Sequence, residues 1–379
     1  MLVNKPPMGW NSWNTFGPDI NEKLIMETAD AMAEKGYLEA GYKYLVIDDG
    51  WQLPERINGV LTADPEKFPG GMKYLADYVH SKGLKFGIYS AAGVLTCLGF
   101  PGSFGYEYQD AEMFASWGVD YLKYDICHYP GSVNARNAYL TMSMALRSTG
   151  RDIVYSGCTA GGRDPKLWMR SAGASLYRSR GDIHDSFDSV KDIAISQLKE
   201  LYASAPGCYN DLDMLIVGMY GKGNTSHTGG CTFDEYMTHF ALWCVFGAPL
   251  MIGGDLRNME ERCRELLLNK ELIRINQDEE CRAPYYDSNQ RYARDTRIGV
   301  LKLLSDNEFI LAYFNLHDED ELLVPLYFAD YGIPTSSHRG LDLTDIITGE
   351  HIGIKHDFYC PVLKPHTCKI VKARFTKEW

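Results

Sequence analysis

No apolar run in the chain approaches the roughly 18 residues that a membrane span requires, so no membrane partner is expected. Basic blocks are missing as well: 38 lysines and arginines face 50 aspartates and glutamates, for a net charge of −12. That balance disfavours nucleic acid and anionic lipid and favours a neutral partner. The 10 cysteines contain no CxxC pair and the 10 histidines no HxH or HExxH. A zinc module, a small disulfide scaffold and a catalytic metal are therefore not expected, and no cofactor is called for; most thiols should be buried, and lone histidines such as His184 should serve at the surface or behind a site. There is no phosphate-cradling glycine loop, and the N-terminal residues show no charged-then-apolar leader, from which a cytoplasmic location is expected.

The 379 residues, 45% of them apolar, suffice for one large domain and a smaller one. Short β-rich segments begin near Met8, Tyr44, Lys85, Asp120, Ile153, Ser175, Asp213 and Pro249. Helical patterns separate them, around 20–36, 72–83, 109–117, 134–149, 166–171, 190–202 and 233–246. Eight strands alternating with helices predict an α/β fold, a (β/α)8 TIM barrel over residues 1–280. From about Cys281 the pattern turns to alternation with turn residues, as in "RIGVLKLLSDNEFILAYFNLHDEDELLVPLYF". This predicts a small antiparallel β-sandwich domain over residues 281–379.

A barrel carries its chemistry at the C-terminal ends of its strands. The stretch "GVDYLKYDIC" places Lys123 and Asp125 on one face of a strand end. Burying an unpaired carboxylate is costly, so such a pair is either a structural ion pair or functional. The other strand ends contribute Trp10, Asp48, Asp49, Trp51, Tyr89, Cys158, Arg178 and Asp182, and strand seven is expected to open with Asn210, Asp211 and Asp213. Core packing, helix capping or turns could explain any one of these residues, but not the whole set. Carboxylates with aromatics suggest a carbohydrate site, and glycoside hydrolysis needs two carboxyl groups across the scissile bond. Asp125 suits the nucleophile, because Lys123 favours its ionised form. Asp182 suits the acid, with like charges such as Asp213 expected to raise its pKa. Spacing alone does not assign these roles.

The motifs "MGWNSWNTF", "VIDDGW", "FGIYS", "TCLGFPGSFGYEYQDAEMFASWGVDYLKYDIC", "YNDLDMLIVG", "GAPLMIGGDL" and "INQD" resemble glycoside hydrolase family 27, the α-galactosidases and α-N-acetylgalactosaminidases, over essentially residues 7–280. The resemblance implies a (β/α)8 barrel with an antiparallel β domain and a retaining exo-glycosidase acting on α-galactoside oligosaccharides or glycoconjugates. It implies Asp125 as nucleophile and Asp182, in "RSRGD", as acid/base. Trp10, Asp48, Asp49, Tyr89, Lys123 and Arg178 would bind the galactose-like ring, and Asp213 would lie beside the acid/base. It further implies a Cys97–Cys127 disulfide, at odds with a reducing cytoplasm.

One segment departs from the pattern. Many members carry Cys-Glu-Trp or Cys-Ser-Trp after strand five, whereas this chain has "SGCTAGGRDP", with Thr159 at the glutamate position. Cys158 and the glycines resemble the related family 36 α-galactosidases, where the cysteine and the glycine-rich backbone approach the sugar's 2-position. A glycine-rich turn without a ligand role is the structural alternative. Room at Thr159 permits either sugar, and the match of Cys158 and the glycines to those galactosidases implies unsubstituted α-galactosides, with α-N-acetylgalactosaminides second. By the family 27 resemblance, the aspartate pair in "IDDGW" implies a sugar bearing a 6-hydroxyl and so disfavours a β-L-arabinopyranosidase. Three other classes are weaker. The "DLD" triplet lacks the nucleotide fold of a glycosyltransferase, a Schiff-base Lys123 is opposed by its adjacent carboxylate, and a non-enzymatic carbohydrate-binding barrel is opposed by the two candidate carboxylates. Aromatic residues of the second domain could support a homo-oligomer, although 25 tyrosines have many other uses.

Overall fold

The computed structural model describes residues 3–131, 134–226, 229–286 and 296–376. Eight short parallel strands form the first sheet: β1 (Met8–Asn11), β2 (Tyr44–Val46), β3 (Lys85–Ala91), β4 (Tyr121–Asp125), β5 (Val154–Cys158), β6 (Leu176–Arg178), β7 (Tyr209–Asp211) and β8 (Leu250–Ile252). Their order is 7-6-5-4-3-2-1-8, as successive right-handed crossovers produce. The ring closes beyond the end of β7. There Leu215 N donates to Met251 O at 2.7 Å and Gly253 N to Leu215 O at 2.8 Å, pairing Leu215 with Ile252 in parallel.

The helices are α1 (Trp13–Phe16), α2 (Glu22–Glu34), α3 (Tyr37–Ala40), α4 (Gly71–Ser81), α5 (Glu107–Trp117), α6 (Ala135–Ser148), α7 (Phe187–Gln197), α8 (Phe233–Phe246), α9 (Glu261–Leu267) and α10 (Lys270–Asn276). Their starts follow local chemistry. Asn21, Asn134 and Ser186 cap α2, α6 and α7, and Thr232 with Glu235 forms a full capping box on α8. Two expectations are corrected. The helix expected over 166–171 is a single 3-10 turn, Pro165–Leu167. Arg163 and Asp164 before it have positive φ, and Trp168 after it, at φ −142°, leaves the helical region and stops the turn. The segment "YNDLDMLIVG" holds strand seven only in its first three residues and not from Asp213 onward: β7 is Tyr209–Asp211, and Asp213 lies in the loop beyond it.

The second domain contains β9 (Arg297–Leu303), β10 (Phe309–Asn315), β11 (Leu322–Leu323), β12 (Leu326–Tyr327), β13 (Leu341–Asp345), β14 (His351–Lys355), β15 (Phe358–Tyr359), β16 (Val362–Leu363) and β17 (Cys368–Phe375). Five of these form an antiparallel sheet, β14-β13-β17-β10-β9, and the short pairs β11-β16 and β12-β15 stand apart from it. Period-two alternation gives this sheet two apolar faces. Ile298, Val300, Ile310, Ala312, Phe314 and Ile370 join the barrel core, while Leu301, Leu311, Leu343 and Val371 pack with Leu326, Phe328 and Leu363. Helix α8, buried on nearly every side, lies between barrel and sheet.

Candidate active site

The strand ends converge on one polar pocket, lined by Trp13, Asp48, Asp49, Tyr89, Cys97, Lys123, Asp125, Arg178, Asp182, Asp213 and Met214. Asp48 follows β2 and receives three donors. Lys123 Nζ and Asn11 Nδ2 each lie 2.7 Å from its Oδ2, and the Asp49 backbone N–H donates to Oδ1 at 2.9 Å. Asp49 accepts from Gly50 N at 2.8 Å and Leu98 N at 2.9 Å. Burial still pushes its carboxyl up to about 6, against those backbone donors.

Asp125 ends β4. Its Oδ1 accepts Ile126 N at 2.8 Å, and Tyr89 Oη lies 3.4 Å from its Oδ2. Burial raises its carboxyl, opposed by the charges of Lys123 and Arg178, by the Ile126 amide and by the Cys158 thiol. For Lys123, burial works against the charge, yet the carboxylates of Asp48 and Asp125 outweigh it and hold the ammonium above its ordinary value. A permanently charged lysine is unsuited to Schiff-base chemistry.

Across the pocket, Arg178 ends β6 with its side chain 4% exposed. Its Nη1 donates to Asp213 Oδ1 and its Nη2 to Asp182 Oδ1, each at 2.8 Å. Asp182 sits at the pocket mouth with its side chain 62% exposed. Burial at its inner edge would raise its carboxyl, but the charge and hydrogen bond of Arg178 win and lower it. The expectation that Asp213 would raise it is therefore corrected: Arg178 stands between the two carboxylates and neutralises their repulsion.

Trp10 does not line the pocket. It is fully buried, its Nε1 donating to Gly254 O at 2.8 Å, and Trp51 is likewise buried with its Nε1 on Tyr89 O at 2.9 Å. Trp13 supplies the pocket's indole instead, because α1 begins above the strand end where Trp10 turns inward. Trp13 and Met214 stand just beyond their strand ends, where strand-end placement does not point to them, although both lie within the motifs "MGWNSWNTF" and "YNDLDMLIVG".

Cys158 lies deeper, in the barrel lumen beneath the pocket with Tyr121, Ser156, Asp211 and Met251. Thr159 is 3% exposed and donates its hydroxyl to Gly162 O at 2.8 Å, so it folds into its own loop rather than into the pocket. Gly161 has φ +77°, and a Cβ there would stand 2.7 Å from Ser179 O, which ties this loop to the end of β6.

Cys97 and Cys127 are disulfide-bonded, with Cα atoms 5.1 Å apart, linking the loop after β3 to the end of β4. Cys97, Asp125 and Cys127 are the one group of metal-type donors among the described residues, and both sulfurs are taken by that bond. No helix of the described residues is long and apolar enough to cross a membrane. The pocket thus gathers five carboxylates against two cations, which repels anions and suits a neutral ligand that becomes cationic as it reacts. A larger apolar cleft, lined by Tyr285, Leu303, Phe309, Tyr331 and Phe375, has no pair of carboxylates.

Residues 5–278 match the family described as Alpha galactosidase A (Melibiase_2). The chain is similar to alpha-galactosidase 2 of Arabidopsis thaliana, 50% identical over 279 residues, 73% of this chain and 68% of that protein. An alpha-galactosidase of Cyamopsis tetragonoloba is 48% identical over 279 residues, again 73% of this chain but 65% of its own length. The match therefore spans about two thirds of these plant relatives. The crystal structure of alpha-galactosidase I from Mortierella vinacea superposes with a TM-score of 0.89 at 31% identity, covering 100% of this chain and 98% of that one.

Proposed function

The chain belongs to the Alpha galactosidase A family of glycoside hydrolases, and on that premise we propose that it hydrolyses terminal α-D-galactosyl residues of oligosaccharides or glycoconjugates with retention of configuration. The observation that carries the reading is one pocket holding Asp125 at its floor and Asp182 at its mouth, each beside its own cation. Asp125, fixed on a strand, attacks the anomeric carbon from below. Asp182, at the mouth where an aglycone departs, protonates the leaving oxygen and then takes a proton from the water that releases the sugar. Asp48, Asp49, Lys123 and Arg178 supply hydrogen bonds to ring hydroxyls, and Tyr89 and Trp13 the aromatic walls.

Burial pushes Asp125 up while Arg178 holds Asp182 down, and the pH profile reports macroscopic values of the pair. Geometry decides which carboxyl faces the anomeric carbon and which the leaving oxygen. A preference for an unsubstituted 2-hydroxyl rests on the likeness of the "CTAGG" segment to family 36; Cys158 lies against Asp125, while Thr159 and Gly161 close their own loop beside β6.

Aryl α-galactoside hydrolysis followed by NMR tests the reading. The first product is expected to be the α-anomer, and Asp125→Asn is expected to fold and lose turnover on the order of 10⁴-fold or more. An inverted product, or an unaffected rate, would overturn the assignment. A higher kcat/KM for the matched α-N-acetylgalactosaminide would overturn the preference at the 2-position and leave the two-aspartate mechanism standing.

A further inference from the structure

Asp213 is held in a conformation that few aspartates adopt. Its φ is +78°, in the left-handed region, which costs a residue with a Cβ roughly 1–3 kcal/mol unless its surroundings enforce it. Two neighbours do so. Asp211, the last residue of β7, accepts the Asp213 backbone N–H on its Oδ1 at 2.9 Å, closing a side-chain turn two residues long. From the other side, Trp243 Nε1 on α8 donates to the Asp213 carbonyl at 2.8 Å. The turn swings the Asp213 side chain back over the barrel. Its Oδ1 then accepts from Arg178 Nη1 and its Oδ2 from the Ile183 backbone N–H, each at 2.8 Å.

Both of those bonds lead to Asp182. Arg178 holds the Asp182 carboxylate directly at 2.8 Å, and Ile183 is the next residue in the chain. Asp211 is 8% exposed, lies in the lumen below the pocket and is not among the pocket's lining residues. It shares that lumen with Lys123, Arg178 and Asp213, which do line the pocket.

We propose that Asp211 is a positioning residue for the general acid: it fixes Asp213 in the left-handed turn, and Asp213 in turn fixes Asp182 through Arg178 and the Ile183 amide. The inference rests on Asp182 being the acid/base. What Asp211 must supply is a hydrogen-bond acceptor at one place, a role that an amide oxygen fills as well as a carboxylate. A residue needed only for folding would lower activity on every substrate alike. Mispositioning the acid instead affects the step in which the proton of Asp182 reaches the leaving oxygen as Asp125 bonds to the anomeric carbon and the glycosidic bond breaks.

The test compares kcat/KM for methyl α-galactoside, whose leaving group needs that proton, with 2,4-dinitrophenyl α-galactoside, whose leaving group departs without it. Asp182→Ala is the reference and is expected to lose on the order of 100-fold more on the methyl glycoside than on the dinitrophenyl one. Asp211→Ala is expected to show the same selective loss at smaller size, on the order of tenfold, and Asp211→Asn to restore most of it. If Asp211→Ala does not fold, Trp243→Phe, which removes the donor to the Asp213 carbonyl, is read in the same way. Equal losses on both substrates, or no loss, in a folded variant overturns the inference while the Asp182 reference stands. No selectivity in Asp182→Ala overturns instead the assignment of the acid.

Discussion

Lys123 shows how one charge can serve two carboxylates. It lies 2.7 Å from Asp48 Oδ2 and its charge lowers Asp125 against the upward push of burial. Lys123→Met removes that support, so Asp125 is expected to titrate still higher. Since the proposed nucleophile must be ionised, the acidic limb of the kcat/KM profile should move to higher pH, and kcat/KM at the optimum should fall on the order of 100-fold. A pH–rate series on the purified variant checks both; an acidic limb that stays in place would detach Lys123 from the nucleophile. Trp10 and Trp13 carry a related lesson. They stand three residues apart in one motif, and only the exit of the chain from β1 decides which indole meets the core and which the pocket.

At the level of elements, the register of the barrel sets how closely strands can approach. Gly9 in β1 faces Tyr44 in β2, and a Cβ there would lie 2.2 Å from the Tyr44 carbonyl oxygen. Backbone cannot step aside as a side-chain tip can. Gly9→Ala is therefore expected to destabilise by about 3 kcal/mol or more, read from the denaturation midpoint at unchanged m-value. Wild-type stability in that variant would mean that β1 and β2 slide more easily than this packing allows. Helix α8 makes the complementary case. Its capping box is closed locally by Thr232 and Glu235, but its nearly complete burial depends on the second domain that covers it.

At the scale of the whole molecule, the barrel and the five-stranded sheet share one apolar core, and Lys302 Nζ reaches across to the α8 carbonyl of Val245 at 3.1 Å. Residues 1–280 alone would expose the α8 and α10 surfaces to water, at roughly 25 cal/mol per Å² of apolar area. That fragment is expected to aggregate or melt far below the full chain, as size-exclusion chromatography and thermal melts would report. The pH dependence of stability is also a property of the whole fold. Asp49 and Asp211 are each raised by burial to about 6. A folded pKa above the unfolded one means the native state keeps a proton that the unfolded chain has released, so stability falls as pH rises from about 4 through 6, on the order of 3 kcal/mol per group. Carboxylates held low, such as Asp182, Asp255 and Asp278, lose their contribution only below that window. Tm is expected to be higher near pH 5.5 than near pH 7.5. A Tm that climbs across that interval would contradict the sign.

The sequence by itself determined the alternation of eight strands and their helices, the antiparallel texture after Cys281, and a set of charged strand ends on one rim, because side-chain periodicity and strand-end placement are local properties. It also carried the carboxylates, arginine and lysine that now share a pocket, since a barrel sends every strand terminus to the same face. Only the tertiary structure decided that Trp10 is core and Trp13 wall, that Thr159 folds into its own loop, and that β7 stops at Asp211 to let Asp213 turn back. It alone set the opposite directions in which Asp125 and Asp182 are shifted, because a carboxyl's pKa depends on what lies within a few ångströms. Arg178 reaches its place between Asp182 and Asp213 only when β6 and β7 lie side by side.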